Sequence, residues 1–168
     1  MTAITMCAHA RHGVLGDAKA VSNRLRGSEF LGTTMTTPED TLDERVSVDL
    51  STPVPPLAQI RQWLATVLAD LTEDLLQDLL LICTELVSNA YDHASTPRRL
   101  RVQRSRERDV LLIEVDDGSP ESLPTPGTSR LGSFRGRGLI MVDTLSQRRW
   151  GTRRGVDCKT VWAELPLS

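Results

Sequence analysis

Several features that mark particular classes of protein are scarce in this sequence. Only 4% of its 168 residues are aromatic, so leucine and valine must fill most of the core. The longest uninterrupted apolar run, Leu79–Cys83, is far shorter than the ~20 residues that a membrane-spanning helix needs. The net charge of −2 gives no overall bias toward nucleic acid or an anionic membrane. The sequence therefore predicts a protein that acts without a membrane.

The three cysteines are widely spaced and odd in number, which does not indicate a disulfide framework. Cys83 lies among the apolar positions of a predicted helix. The first residues lack the apolar segment that a secretion signal requires. These observations predict a soluble, cytoplasmic protein in a reducing compartment.

Arginine residues crowd two short segments, residues 98–108 and 148–154, which could form a surface for nucleic acid. In the first segment they alternate with apolar residues such as Leu100 and Val102, as on the solvent face of a sheet. Trp150 is the only aromatic residue near these arginines that could stack on a base. We therefore expect no direct binding to nucleic acid.

The length of the chain predicts one domain with an extension. Residues 1–41 show no sustained periodicity, which predicts a poorly structured N-terminal extension, and residues 42–168 form the predicted domain. Cys7, His9 and His12 are close in sequence, but a metal site would need a fourth ligand, so we expect a mobile tail there.

The domain shows hydrophobic periodicities of strands and helices in a definite order. The predicted strands are Arg45–Leu50, Arg99–Arg104, Val110–Asp116, Arg148–Thr152 and Lys159–Leu165, and the predicted helices run from Thr52-Pro53 to Leu71, from Glu73 to Ala94 and from Gly136 to Leu145. A Pro-, Gly- and Ser-rich connection at about residues 118–135 is long enough to be a functional lid. This order predicts an α/β (α+β) sandwich, with a mixed, mostly antiparallel sheet and the helices on one face.

The helix at Glu73–Ala94 carries the most informative pair of polar residues. Glu85 and Asn89 are four residues apart, so they lie on one face of the helix, roughly 6 Å apart along its axis. A carboxylate and a carboxamide placed in this way can orient a water or hydroxyl and hold a cation. On helix patterning alone, an exposed polar face is the simpler interpretation.

Two later segments add groups that could bind a nucleotide. Asp116, Asp117 and Gly118 end a strand, where a carboxylate can accept a hydrogen bond from an exocyclic amine, although Asp and Gly are also ordinary turn residues. Gly136–Leu139 opens a helix, whose free backbone N–H groups and dipole favour a phosphate, and the neighbouring Arg135 adds positive charge. Each segment alone is weak evidence.

Taken in order, ELVSNAYDHA, VDDG, GRGL and KTVWAEL resemble the motifs of the GHKL ATPases. NAYDHA and the closing TVWAEL are similar to those of the small anti-sigma-factor serine/threonine kinases of actinobacteria. The resemblance covers residues 45–168. It implies a Bergerat ATP-binding fold with an ATP lid, ATP and Mg²⁺ as cofactors, and phosphate transfer to a serine or threonine of another protein.

The resemblance also implies a role for each matching residue. Glu85 would be the general base, and Asn89 would be the metal ligand that holds Mg²⁺. Asp116 would accept a hydrogen bond from the adenine amine, with Gly118 giving room for the base and Thr160 supporting it. The implied nucleotide-binding residues are Asn89, Asp116, Gly118, Arg135, Gly136, Arg137, Gly138, Leu139 and Thr160.

The partners that the resemblance implies are a sigma factor, held inactive, and an anti-anti-sigma-like antagonist protein that is the phosphorylation substrate; a homodimer is also implied. Two residues depart from the family pattern. Pro120 replaces the last glycine of D-x-G-x-G, and Cys158 stands where a glycine commonly precedes Lys-Thr. Pro120 removes a backbone donor. The alternative is therefore a catalytically weak or inactive ATP-binding module that regulates a partner by binding alone.

Overall fold

The computed structural model describes residues 35–36, 45–124 and 138–168. Their elements are, in chain order, strand β1 (Met35–Thr36), strand β2 (Arg45–Asp49), helix α1 (Leu57–Val67), helix α2 (Glu73–His93), strand β3 (Arg99–Ser105), strand β4 (Val110–Asp117), helix α3 (Gly138–Leu145), strand β5 (Trp150–Arg154) and strand β6 (Lys159–Pro166). The predicted order of helices and strands is confirmed.

The strands form one sheet in the order β1-β2-β3-β4-β6-β5, and every neighbouring pair is antiparallel. The five longer strands make up the body of this sheet. The two-residue β1 pairs with β2 at one edge and lies inside the segment predicted to be poorly structured. The division into residues 1–41 and 42–168 stays a prediction, because most of the extension lies outside the described residues.

The helices pack on one face of the sheet, which confirms the predicted α+β sandwich. Every second side chain along the strands points to this face, and these side chains pack against the apolar stripe of α2. The buried residues include Val48, Leu100, Val102, Ile113, Val115, Val161 and Ala163 from the strands and Leu79, Ile82, Leu86, Val87 and Ala90 from α2. The long central helix thereby fixes Glu85 and Asn89 against the sheet.

Several predicted boundaries are wrong by a few residues; helix α1, for example, ends at Val67 instead of Leu71. Helix α1 begins at Leu57, after Pro53, because Pro55 and Pro56 disfavour helical backbone at the residues that precede them. Strand β5 begins at Trp150 instead of Arg148, because Arg148 has a φ of 64° in the turn that ends α3.

The described cysteines differ in chemistry. Cys83 is a free thiol buried on α2, and burial raises its pKa to about 12. Cys158 is disulfide-bonded, so the expectation that the cysteines form no disulfide is wrong at this residue. Of the helices in the described ranges, none is long and apolar enough to cross a membrane.

Candidate functional site

The first residue of α3 lies directly against the Glu85 carboxylate. A Cβ atom on Gly138 would lie 2.0 Å from Oε2 of Glu85 and 2.8 Å from its Cδ, so only glycine leaves room for this carboxylate. The contact places the N-terminal end of α3, where the backbone N–H groups of the first turn have no partner within the helix, beside Glu85. Burial raises the pKa of the Glu85 carboxyl. A carboxyl group whose pKa is raised above its ordinary value is a stronger base and is better suited to accept a proton.

Asn89 lies one turn further along α2 and has an unsatisfied amide. Its Nδ2 atom is buried and has no hydrogen-bond partner in the part of the chain that the structure describes. An unpaired buried amide costs about 1–3 kcal/mol, so the site favours a ligand that removes the deficit. A phosphate oxygen could accept from Nδ2, and Oδ1 is an oxygen ligand of the kind that Mg²⁺ prefers. Because Glu85 and Asn89 both lie on α2, four residues apart, they share one face of this helix.

Asp116 lies on the opposite face of the sheet from the helices. Its carboxylate accepts two hydrogen bonds from Arg101, at 2.5 and 2.7 Å, and one from Thr160 Oγ1 at 2.7 Å. Arg101 also donates to Glu114, which pairs with Arg153. The prediction placed Asp116 beside Thr160, and the structure brings them into contact. Three donors already occupy this carboxylate.

Asp117 points to the helix side, because side chains alternate along β4 and its buried neighbours Ile113 and Val115 share its parity. Its Oδ1 atom accepts from Lys159 Nζ at 2.7 Å and from the Ser119 backbone N–H at 2.9 Å. Lys159 also donates to the Ser119 carbonyl at 2.9 Å. Desolvation raises the pKa of the Asp117 carboxyl, which these donors partly offset. A buried ion pair therefore lies at the end of β4 on the side where α2 packs.

Gly118 is required by packing. A Cβ atom at this position would lie 2.3 Å from the Thr96 carbonyl oxygen, so the backbone of the loop after α2 fills that space. Ser95 reinforces the contact, since the Gly118 N–H donates to its carbonyl at 3.0 Å and its hydroxyl donates to the Gly118 carbonyl at 2.9 Å. These bonds join the end of α2 to the start of the predicted lid. The predicted role of Gly118 toward a base remains untested.

Arg98 holds the C-terminal end of α2. It donates from Nε to the Ala90 carbonyl at 2.9 Å and from Nη2 to the Ala94 carbonyl. Its guanidinium lies 4.4 Å from the centroid of the Tyr91 ring. A cation that satisfies the last carbonyls of a helix stabilises that end. Arg98 therefore fixes the turn of α2 that follows Asn89.

The remaining predicted site residues have different positions. Leu139 is buried in α3 and packs in the core. Arg135, Gly136 and Arg137 lie outside the described residues, as does most of the lid, so their roles stay predictions. The motifs predict no role for Lys159, which the structure pairs with Asp117. Counting by two along β4 from Ile113 could have placed Asp117 on the buried face.

Comparison with known families decides the classification of this chain. Residues 51–164 match the family described as histidine kinase-like ATPase domain. The chain belongs to this family. A search of curated proteins finds no match. The matched segment includes α1, α2 and α3 together with most of the sheet, so it contains every described residue of the site.

Membership of the histidine kinase-like ATPase family establishes the coarse function. The chain is a GHKL-type, ATP-binding regulatory protein with a Bergerat-like fold, and the family is associated with ATP-dependent kinase or ATPase activity. The resemblance inferred from the motifs is therefore confirmed at the level of the superfamily.

Proposed function

We propose that this ATPase-family protein is a cytoplasmic anti-sigma factor of the actinobacterial type with serine/threonine protein kinase activity. Its substrate would be an anti-anti-sigma-like antagonist protein, and its regulated partner would be a sigma factor. The observation that carries the proposal is the contact of Gly138 with Glu85 beside the unsatisfied amide of Asn89. A proton acceptor and a helix N-terminus meet here, one helical turn from a polar ligand. A homodimer is part of the same proposal.

The residues of this place fit a nucleotide with its cation. When bound, Mg·ATP would supply the phosphoryl group and the charge of the metal ion. Asn89 would hold it through its side-chain amide, and the N-terminal end of α3 would face its phosphates. Kinases of this type rely on positioning and on charge stabilisation, which these groups provide.

Glu85 is the proposed general base. Its carboxylate would accept the proton of a partner's serine or threonine hydroxyl at Oε2, the atom that lies against Gly138. Burial raises its pKa, which strengthens it as a base. Because Gly138 has no Cβ, the carboxylate can occupy this position beside the start of α3.

At the base end, the structure favours Asp117 over Asp116. Asp117 lies on the side of the sheet where Asn89 and Glu85 lie, whereas Asp116 lies on the other face with Arg101. We therefore include Asp117 as the acceptor for the exocyclic amine of the base. The predicted roles of Asp116 and Thr160 stay as an alternative that substitution can separate.

The experiment that tests catalysis is a phosphate-transfer assay on Glu85→Gln. We expect transfer from ATP to a partner serine or threonine to fall at least about 100-fold, because a general base contributes 10²–10⁴-fold. ATP binding, measured by calorimetry, should change less than about threefold, since an amide of the same shape keeps the packing against Gly138.

The alternative, an ATP-binding module without phosphate transfer, predicts a different result. Wild type and Glu85→Gln would then show equal, background levels of transfer while both bind ATP. That outcome would contradict the kinase proposal and would leave the regulatory binding role as the function.

A further inference from the structure

The ion pair of Asp117 and Lys159 is almost completely excluded from solvent. The side chains are 2% and 4% exposed, respectively. Burying two charges is costly, and a buried ion pair contributes little to stability compared with apolar residues of the same size. This pair lies on the face of the sheet that α2 covers, where Glu85 and Asn89 also lie. It is therefore a candidate for a role in ligand recognition.

The hydrogen bonds of the pair are unevenly distributed over the carboxylate. Oδ1 of Asp117 has two lone pairs, and both are used, one by Lys159 Nζ at 2.7 Å and one by the Ser119 backbone N–H at 2.9 Å. Neither bond involves Oδ2. The carboxylate therefore has one oxygen that is saturated and one that takes part in neither bond.

The two purine bases present different donors to such a carboxylate. Adenine offers a single exocyclic amine next to a ring nitrogen that accepts. Guanine offers a ring N–H and an exocyclic amine side by side, and these two donors match the two oxygens of an unencumbered carboxylate. A carboxylate with one saturated oxygen retains the contact to adenine and loses one of the two contacts to guanine.

We propose that Lys159 is a specificity-determining residue that makes the site select adenine over guanine nucleotides. By saturating Oδ1 of Asp117 together with Ser119, Lys159 leaves Oδ2 as the single acceptor for the base. This inference rests on the proposed function, because it requires that a nucleotide binds with its base at Asp117. Lys159 acts through Asp117 and also anchors Ser119 at the start of the lid through the bond to its carbonyl.

The test is the ratio of the Kd values for Mg·GTP and Mg·ATP, measured by calorimetry on the full chain. Lys159→Met frees a lone pair on Oδ1, so we expect the ratio to fall at least about tenfold, the value of one hydrogen bond to a charged group. Adding Asp117→Asn to this variant should restore the preference for ATP, because an amide accepts from the adenine amine and donates to its ring nitrogen.

Arg108→Met is the matched control. Arg108 forms an ion pair at 2.6 Å with Glu164, a buried residue of β6, the strand that also carries Lys159. Replacing Arg108 therefore also removes the partner of a buried carboxylate. Glu164 lies on the other face of the sheet, since it alternates with the buried Ala163 and Leu165. We expect the ratio for this control to stay within about twofold of wild type.

Thermal unfolding identifies variants that fail to fold. If Lys159→Met is unfolded, Asp117→Asn decides the question, because Lys159 keeps a neutral partner there. The oxygen of the new side-chain amide would then accept from Lys159, and the NH₂ group of the same amide would face the base. Because an NH₂ group cannot accept from the adenine amine, the affinity for ATP should fall at least about tenfold. If Lys159→Met keeps the wild-type ratio of Kd values, or if Asp117→Asn keeps the wild-type affinity for ATP, the proposal is wrong. A wild-type chain that binds neither nucleotide would instead overturn the proposed function.

Discussion

At the scale of single residues, Gly138 shows most directly how packing constrains the chemistry. Alanine is the better helix former, by about 1 kcal/mol, and the atom that its Cβ would meet is the end of a flexible side chain. The Glu85 carboxylate can therefore move aside without disturbing the core. The residue is needed for the position of the carboxylate more than for the stability of α3.

Gly138→Ala is accordingly expected to separate stability from activity. The free energy of unfolding in urea should stay within about 1 kcal/mol of wild type. Phosphate transfer should fall at least about tenfold, because a displaced base loses its alignment with the hydroxyl. Adding Gly138→Ala to Glu85→Gln should cause no further loss of transfer. A full additional loss in the double variant would show that Gly138 acts independently of Glu85.

The carboxylates at 116 and 117 show what residue patterns reveal and what they miss. The motif VDDG drew attention to the first aspartate, because it matches the D-x-G pattern of the family. The alternation of Ile113, Val115 and Asp117 is equally visible in the sequence and indicates the second. The ion pair of Asp117 with Lys159 was not predictable, because it joins residues 42 positions apart.

At the scale of elements, α2 was the easiest to predict, and both of its ends have a local cause. Thr72 accepts a hydrogen bond from the Leu75 N–H at 3.4 Å, and two acidic residues follow it in the first turn, where the helix dipole favours them. Helix α2 ends at His93, close to the predicted Ala94, shortly before Pro97. Where such local signals were misleading, as before α1, the predicted boundary failed.

Arg98 lies after α2, and its role at the end of this helix was not predicted from the sequence, because its partners are backbone carbonyls. Arg98→Ala removes two hydrogen bonds to the helix end and the contact with Tyr91. We expect a loss of about 1–2 kcal/mol in the free energy of unfolding, measured in urea.

Arg99→Ala is the control for this substitution, since among the described residues the ion pair of Arg99 is a loose, partly exposed one with Asp49 at 3.6 Å. Exposed pairs of this kind contribute little, so the control should lose no more than about 0.5 kcal/mol. Equal losses for the two variants would show that Arg98 does not hold the end of α2.

At the scale of the whole molecule, hydrophobic periodicity predicted a sheet with a layer of helices. It did not predict the order of the strands in the sheet. Alternating residues indicated which strands exist, and their amphipathic pattern placed the helices on one face. The position of β6 between β4 and β5 follows from no local pattern, because it pairs segments far apart in the chain. The sequence therefore predicted which strands exist but not their order in the sheet.

The site likewise exists only at this scale. Asn89 and Glu85 come from α2, Gly138 comes from α3, and Asp117 and Lys159 come from the ends of β4 and β6. The sheet and the helix layer hold these groups on one side of the fold, and different local contacts fix each group. The central claim is that they form one site for a nucleotide and its cation.

Calorimetry of ATP binding, with and without Mg²⁺, on wild type and Asn89→Ala tests this claim most directly. We predict binding in the micromolar range that requires Mg²⁺ and that weakens at least about tenfold in the variant, because the amide loses its contact with the bound ligand. Binding that is equally strong without Mg²⁺ and in Asn89→Ala would contradict the assignment of the site. The absence of any binding to wild type would contradict the proposed nucleotide-dependent function itself.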